Sequence, residues 1–111
     1  MFKSKNFLFF LIKDILEFNV LKFLFAIEAD KLSFQFYRSG VYTASNCGTN
    51  LDHGVLLVGY GEVDGNKYWK VKNSWGTVWG DEGYIKLGRG DEYNNGSGQC
   101  GMLMQASYPE V

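Results

Sequence analysis

At Asp64-Gly65-Asn66 the chain must reverse direction, and that requirement constrains the fold more than any other feature. Asp-Gly supplies, at low steric cost, the positive backbone angles that a tight hairpin demands. Before the turn, Val55-Leu56-Leu57-Val58 is a continuous apolar run between Gly54 and Gly59, which predicts a strand buried on both faces. After it, Lys67 to Asn73 alternates: Tyr68, Lys70 and Lys72 share one face, while Trp69, Val71 and Asn73 share the other. Further strands are expected over Gly83 to Leu87 and near Leu103 to Ser107. Upstream, Ala26-Ile27-Glu28-Ala29 and Ser33-Phe34-Gln35-Phe36-Tyr37 predict two short pieces of regular structure, ended by the turn Ser39-Gly40. The pattern is mainly β: an antiparallel, glycine-rich sheet whose natural closure is a small barrel or sandwich.

This pattern stops short of the start of the chain. Seven of the nine phenylalanines lie in residues 1 to 25, whereas all fourteen glycines fall between Gly40 and Gly101. Residues 1 to 25 carry a net charge of +2 and residues 26 to 111 a net charge of −3, so the chain divides into 1–25 and 26–111. Leucines, isoleucines and phenylalanines at three- and four-residue spacing, with no Gly or Pro, predict an amphipathic helix over roughly residues 4 to 28. A second reading of residues 1 to 25 is translated non-coding DNA, motivated by their Phe/Lys/Asn/Ile/Leu bias. No cleaved leader is expected, because Lys13-Asp14 interrupt the apolar run Phe7 to Ile12 short of a signal core of roughly 7 to 15 residues, and no small-residue cleavage site follows. Nor is a membrane span expected: Lys13, Asp14, Glu17 and Lys22 break every window of about 20 apolar residues.

The whole chain has 111 residues and a net charge of −1, which describes one small domain without the basic surface that nucleic acid or an anionic membrane attracts. Neutral or peptide-like partners fit better.

His53 is the only histidine, and it heads the first strand of the hairpin. Asn73 ends the second strand on its inward face, where an unsatisfied buried amide costs about 1 to 3 kcal/mol. One reading is that Asn73 bonds to nearby backbone. The other is that its amide oxygen accepts from the imidazole of His53, selects the tautomer and aims the other ring nitrogen at a nucleophile. A thiolate is the natural partner, since an adjacent imidazole lowers its pKa and later donates a proton. Trp75, two residues beyond Asn73, is placed to keep water off such a bond.

Cys47-Gly-Thr-Asn-Leu-Asp-His53-Gly, Val58-Gly-Tyr-Gly61, Tyr68-Trp-Lys-Val-Lys-Asn73-Ser-Trp-Gly76, Trp79-Gly-Asp-Glu-Gly-Tyr-Ile85 and Ala106-Ser-Tyr-Pro109 occur in unbroken order. Together they resemble the C-terminal half of papain-like cysteine peptidases, in the cathepsin L and papain branch, over about residues 26 to 111. The resemblance implies an α+β parent fold of two lobes, of which these residues form the barrel-like C-terminal one, with substrate in the cleft between lobes. It makes His53 the catalytic imidazole, Asn73 its orienting amide and Trp75 their cover. It also implies a disulfide between Cys47 and Cys100, and hence an oxidising setting that is extracellular or lysosomal/vacuolar. Ala26, Leu51, Asp52, Gly54 and Gln105 match positions that flank the histidine or line the pocket for the second substrate side chain before the cut bond. Leu51 and Ala26 favour an apolar side chain there, and Gln105 either meets a polar one or faces solvent.

The chain departs from the family in one respect: neither the Cys-Gly-(Ser/Ala)-Cys-(Trp/Tyr) segment that carries the nucleophile nor the oxyanion-hole glutamine can be placed on any of its residues. Endopeptidase chemistry is therefore expected of a longer two-lobed protein and not of this chain alone; its partners would be a polypeptide substrate or the missing N-terminal lobe. The alternatives are a non-catalytic peptide- or partner-binding module, or an unproductive gene fragment. No cofactor or metal is expected, since one histidine and two bridged cysteines leave too few soft ligands for zinc. Gly96-Ser97-Gly98-Gln99-Cys100-Gly101 fits Gly-x-Gly-x-x-Gly but lacks the preceding strand and following helix of a phosphate cradle. Asn95-Gly96-Ser97 is an N-glycosylation sequon, with meaning only in a secreted chain.

Overall fold

A computed structural model describes residues 23–107. Six strands form one sheet: β1 (Phe23–Ile27), β2 (Val41–Tyr42), β3 (His53–Val63), β4 (Asn66–Lys72), β5 (Tyr84–Gly88) and β6 (Ala106–Ser107), in the order β2-β5-β4-β3-β1-β6. A one-turn helix, α1 (Leu32–Gln35), follows β1, and two 3-10 turns, Tyr93–Gly96 and Gln99–Gly101, precede β6.

The hairpin forms where the sequence places it. Val63 pairs with Asn66, and the two residues between them, Asp64 and Gly65, take φ of 52° and 79°. Both angles are positive, as a tight turn that follows the twist of its strands requires. Along β4 the alternation also holds, with Trp69 and Val71 buried at the inward positions and Asn73 buried just beyond them.

The strand before the turn differs from its expectation. Val55 and Leu57 are buried, but Leu56 and Val58 are only half-buried, so the run is not enclosed on both faces. The register shifts between Leu57 and Gly59, making Val58 the extra residue of a β-bulge. Leu57 can thus sit opposite Val71, and Tyr60 opposite Trp69, on one face of the sheet. Without the bulge, a one-residue slip would set core side chains against the outward lysines.

Three further expectations are corrected. The barrel-like closure is not found among the described residues: β2 and β6, two residues each, form separate open edges. The sheet is not wholly antiparallel, because β2 runs parallel to β5. The helix expected over residues 4 to 28 lies mostly outside the described residues, and where it enters them Phe23–Ile27 is a strand. That strand lies antiparallel to β3, with Phe25 opposite Val55 and Ile27 opposite His53. A short apolar run is ambiguous by periodicity, and pairing that buries Phe25 and Ile27 settles it as β. The leader, span and non-coding readings of residues 1 to 25 also fall chiefly outside the described residues. Among those that are described, no helix is long and apolar enough to cross a membrane.

The core lies on one face of the sheet. Phe25, Ile27, Val55, Leu57, Trp69, Val71, Ile85 and Leu87 are buried together with Phe34 of α1, Tyr37, Tyr42, Met102 and the Cys47–Cys100 disulfide. The bridge spans 53 positions. Beside it Glu28, with only 5% of its side chain exposed, accepts from the backbone N–H of Gly48 at 2.7 Å and of Asn50 at 3.0 Å, and Lys31 Nζ lies 3.6 Å away. Burial opposes ionisation of this carboxyl, but the two N–H donors and the Lys31 charge outweigh it and hold its pKa below the ordinary 4.5. The glycines of the Gly-x-Gly-x-x-Gly run serve this packing: a Cβ on Gly101 would lie 2.9 Å from Leu51 Cδ2 and 3.3 Å from the Gly48 carbonyl oxygen.

Replacing both Cys47 and Cys100 with alanine is expected to destabilise the chain by about 4 kcal/mol, through the entropy returned to the unfolded loop; the midpoint of urea unfolding measures it. Glu28 gives a pH signature. Its folded pKa lies below the unfolded one, so its contribution is complete above about 4.5 and is lost as the pH falls through the folded value. The Glu28→Gln variant should be less stable at neutral pH by roughly 1–3 kcal/mol, with a shallower loss of stability on acidification than the parent.

Candidate active site

His53 and Asn73 meet because of the hairpin. Pairing of Ile27 with His53 places the histidine at the first residue of β3, and the bonding of Asn73 N–H to the Gly83 carbonyl at 3.0 Å carries β4 one residue past its end. Side chains two apart share a face of a strand, so His53 lies with Val55 and Leu57, and Asn73 with Val71 and Trp69. Twenty positions apart in sequence, His53 Nε2 and Asn73 Oδ1 are 2.7 Å apart.

The proton on that bond follows from chemistry. Asn73 Oδ1 also accepts the Ser74 backbone N–H at 2.7 Å, which identifies it as the carbonyl end of the amide. An amide oxygen only accepts, so His53 Nε2 carries the hydrogen and, in the neutral ring, Nδ1 keeps its lone pair. Asn73 is 5% exposed, and its Nδ2 is buried with no hydrogen-bond partner among the described residues. The amide is thus held through its oxygen. Of the two sequence readings of Asn73, bonding to backbone and bonding to imidazole, both occur, on the same oxygen.

Trp75 lies against the imidazole, ring centroids 5.0 Å apart and planes inclined by 33°. It is itself held edge-on by Phe34 at 5.7 Å and by Trp79 at 5.3 Å. Trp79 stacks on Phe34 and donates its indole N–H to the Gln35 carbonyl at 3.0 Å. The support for Trp75 therefore comes from α1, a contribution that sequence reading missed. Its only signal was Phe34 among the alternating aromatics of Ser33 to Tyr37. Glu28 was missed likewise, though an acidic residue within Ala26-Ile27-Glu28-Ala29 hinted at a buried anchor.

The remaining candidates fall into two groups. Ala26 is the register partner of Gly54, and Ala26 N–H donates to the Gln105 carbonyl at 3.3 Å, so three of them adjoin through the backbone. By strand alternation Ala26 and Gly54 lie on the face opposite to His53, and Gln105 is exposed. Leu51 and Asp52 lie instead on the approach to β3. Leu51 is half-buried against Gly101, and Asp52 Oδ1 accepts the Ala29 N–H at 2.9 Å while its own N–H donates to the Ile27 carbonyl. Asp52 thereby ties the residue before His53 to the end of β1. The two cysteines, Cys47 and Cys100, are joined to each other, and the chain has no third.

A pair of this kind, imidazole oriented by amide under an indole, can accept a proton at Nδ1 and return it. Comparison with known proteins identifies the family. The family model for papain family cysteine proteases matches residues 13–110. Cysteine endopeptidase Rep1 from Oryza sativa subsp. japonica is 59% identical over 85 residues, covering 76% of this chain and 22% of that protein. The KDEL-tailed cysteine endopeptidase CEP2 from Arabidopsis thaliana is 56% identical over 84 residues, again 76% of this chain and 22% of the relative. Among solved structures, bromelain protease from Ananas comosus in complex with the E64 inhibitor superposes with a TM-score of 0.69 at 43% identity, covering 77% of this chain and 38% of that one. The chain thus spans less than a quarter of the length of these curated relatives, and what it matches is a C-terminal portion of the peptidase domain. With the family model matching from residue 13 to residue 110, the chain belongs to the papain family of cysteine proteases.

Proposed function

We propose that these residues supply the histidine and asparagine of a papain-like cysteine endopeptidase and that the thiol comes from outside them. The observation that carries this reading is the 2.7 Å contact between His53 Nε2 and Asn73 Oδ1 beneath Trp75. With Nε2–H committed to Asn73, Nδ1 of His53 takes the proton of a cysteine thiol, and the thiolate attacks the peptide carbonyl. The imidazolium then protonates the departing amine, leaving a thioester acyl-enzyme that water hydrolyses. Asn73 keeps the ring from rotating between these steps, and Trp75 limits the water that would compete for their bond.

Both cysteines of the chain are in the disulfide, so no thiol is available within it and the isolated chain is inactive. The lobe that would bring the nucleophile is also the partner best suited to the open side of Trp75, which leaves 37% of its surface exposed beside the histidine. Substrate is a polypeptide, with Ala26, Leu51, Gly54 and Gln105 bordering the pocket for the second side chain before the cut bond and Asp52 holding the histidine's approach. The disulfide favours a lumenal, extracellular or vacuolar setting. A relative named for a KDEL tail supports the secretory route, since that tail is an endoplasmic-reticulum retention address.

Hydrolysis of a fluorogenic dipeptide amide tests the reading. The purified 111-residue chain should give no turnover, whereas a two-lobed protein carrying these residues should turn over. In the latter, His53→Ala should lower kcat by on the order of 10²–10⁴-fold, and Asn73→Ala should lower it less while leaving KM close to that of the parent. Turnover by the isolated chain that a cysteine alkylator blocks, or full activity of His53→Ala, would overturn it. In the same two-lobed protein Gln105→Leu should shift preference at the second side chain toward apolar residues by about tenfold, read as a ratio of kcat/KM values.

A further inference from the structure

One sequence motif takes no part in the chemistry above: Asn95-Gly96-Ser97, the single Asn-x-Ser/Thr sequence in the 111 residues. Its x residue is glycine, and only proline would bar the acceptor. The structure separates two adjacent asparagines at this point. Asn94 is turned inward, its Nδ2 donating to the carbonyls of Cys47 at 3.0 Å, Gly98 at 2.9 Å and Gly48 at 3.4 Å. Asn95 is exposed and its side chain makes no hydrogen bond among the described residues. Asn94 pins the disulfide loop, a task in which the Asn95 side chain takes no part among the described residues.

Both asparagines hold left-handed backbone, with φ of 50° and 53°, a conformation that asparagine tolerates better than most residues. Asn95 is thereby lifted to the outside of the 3-10 turn. Ser97 is fixed through its backbone, its N–H donating to the Asn94 carbonyl and its own carbonyl accepting from Leu103 N–H, so its hydroxyl is not spent on holding the loop. Three residues on, Cys100 is bridged to Cys47, and a disulfide forms in the compartment where N-glycans are attached.

We infer that Asn95 is an N-glycosylation site, an assignment that rests on the sequon, the exposure and the bridge and does not require the peptidase reading. The co-reactant is a lipid-linked oligosaccharide diphosphate. Asn95 Nδ2 forms a C–N bond to the anomeric carbon of the first N-acetylglucosamine, the C–O bond to the diphosphate breaks, and the lipid diphosphate leaves with that electron pair. The amide gives up one proton to a base of the transferase. No oxidant or reductant is consumed. The sugar projects from the tip of the disulfide loop, leaving Asn94 and the Glu28 contacts beneath it intact.

The test is translation of the full chain behind a cleavable leader in the presence of endoplasmic-reticulum microsomes, read as gel mobility before and after an N-glycan-specific glycosidase. Because transfer acts on the nascent chain, the readout does not depend on how stable the folded product is. One discrete retarded species is expected, collapsed by the glycosidase, absent in Asn95→Gln and Ser97→Ala and retained in Ser97→Thr. Identical mobility with and without glycosidase in the parent chain, or a glycosidase-sensitive shift that survives Asn95→Gln, would overturn the assignment.

Discussion

The carboxylate of Glu28 is the anchor on which the arrangement of loops around the site depends. It sits at the end of β1 and takes the backbone N–H groups of Gly48 and Asn50, which follow directly on the bridged Cys47. From the other side the Glu28 N–H reaches the carbonyl of Cys100, and Asn94 clamps Cys47 and Gly98. Three stretches distant in sequence are thus drawn to one point by charge-assisted bonds, a covalent bridge and an amide. The stretch that follows Cys47 leads into β3, so the point at which β3 begins, and with it the placing of His53, is set by this clasp and by Asp52 bonding back to Ala29 and Ile27. A buried anion that gathers backbone donors costs desolvation, and here two N–H groups and a nearby lysine offset it.

The second determinant is phase. A hairpin with a two-residue turn would keep a constant register along both strands, and the side chains of β3 would then fall out of step with the inward side chains of β4. The bulge at Val58 absorbs one residue and restores agreement, so that His53, Val55 and Leu57 face the same way as Asn73, Val71 and Trp69. The imidazole-amide contact is the visible result at the end of the hairpin. Above it, Trp75 is held by Phe34 and Trp79, which makes the short helix α1 part of the site although it supplies no polar group. Placing the imidazole–amide pair at strand ends and its indole cover on an aromatic cluster gives the ring little room to turn.

Much of this could be read from the residues because the signals are local. Asp64-Gly65 marks the turn through its backbone angles, the alternation from Tyr68 to Asn73 marks the buried face, and the ordered set of motifs marks the family. What was misread depended on partners far away in the chain. Phe23 to Ile27 carries apolar residues that suit either a helix or a strand, and only β3 lying alongside decides for a strand. Val55 to Val58 reads as a run buried on both faces, because one-letter periodicity does not reveal a bulge. Closure of the sheet could not be foreseen either, since it depends on whether two edge strands of two residues each find one another.

The sequence by itself determined the chemical inventory: one histidine, an asparagine on an inward strand position, two cysteines and a hairpin to join them. These follow from residue type and near-neighbour spacing, which fold contacts do not alter. The tertiary structure alone decided which nitrogen of His53 carries the proton, that Asn73 offers its oxygen to the ring, and that both cysteines are spent on the bridge. The imidazole–amide contact and the bridge join atoms that the chain separates by twenty or more positions. Such distances are set by strand register, a bulge and a buried carboxylate acting together, and none of the three is a property of a residue taken with its neighbours.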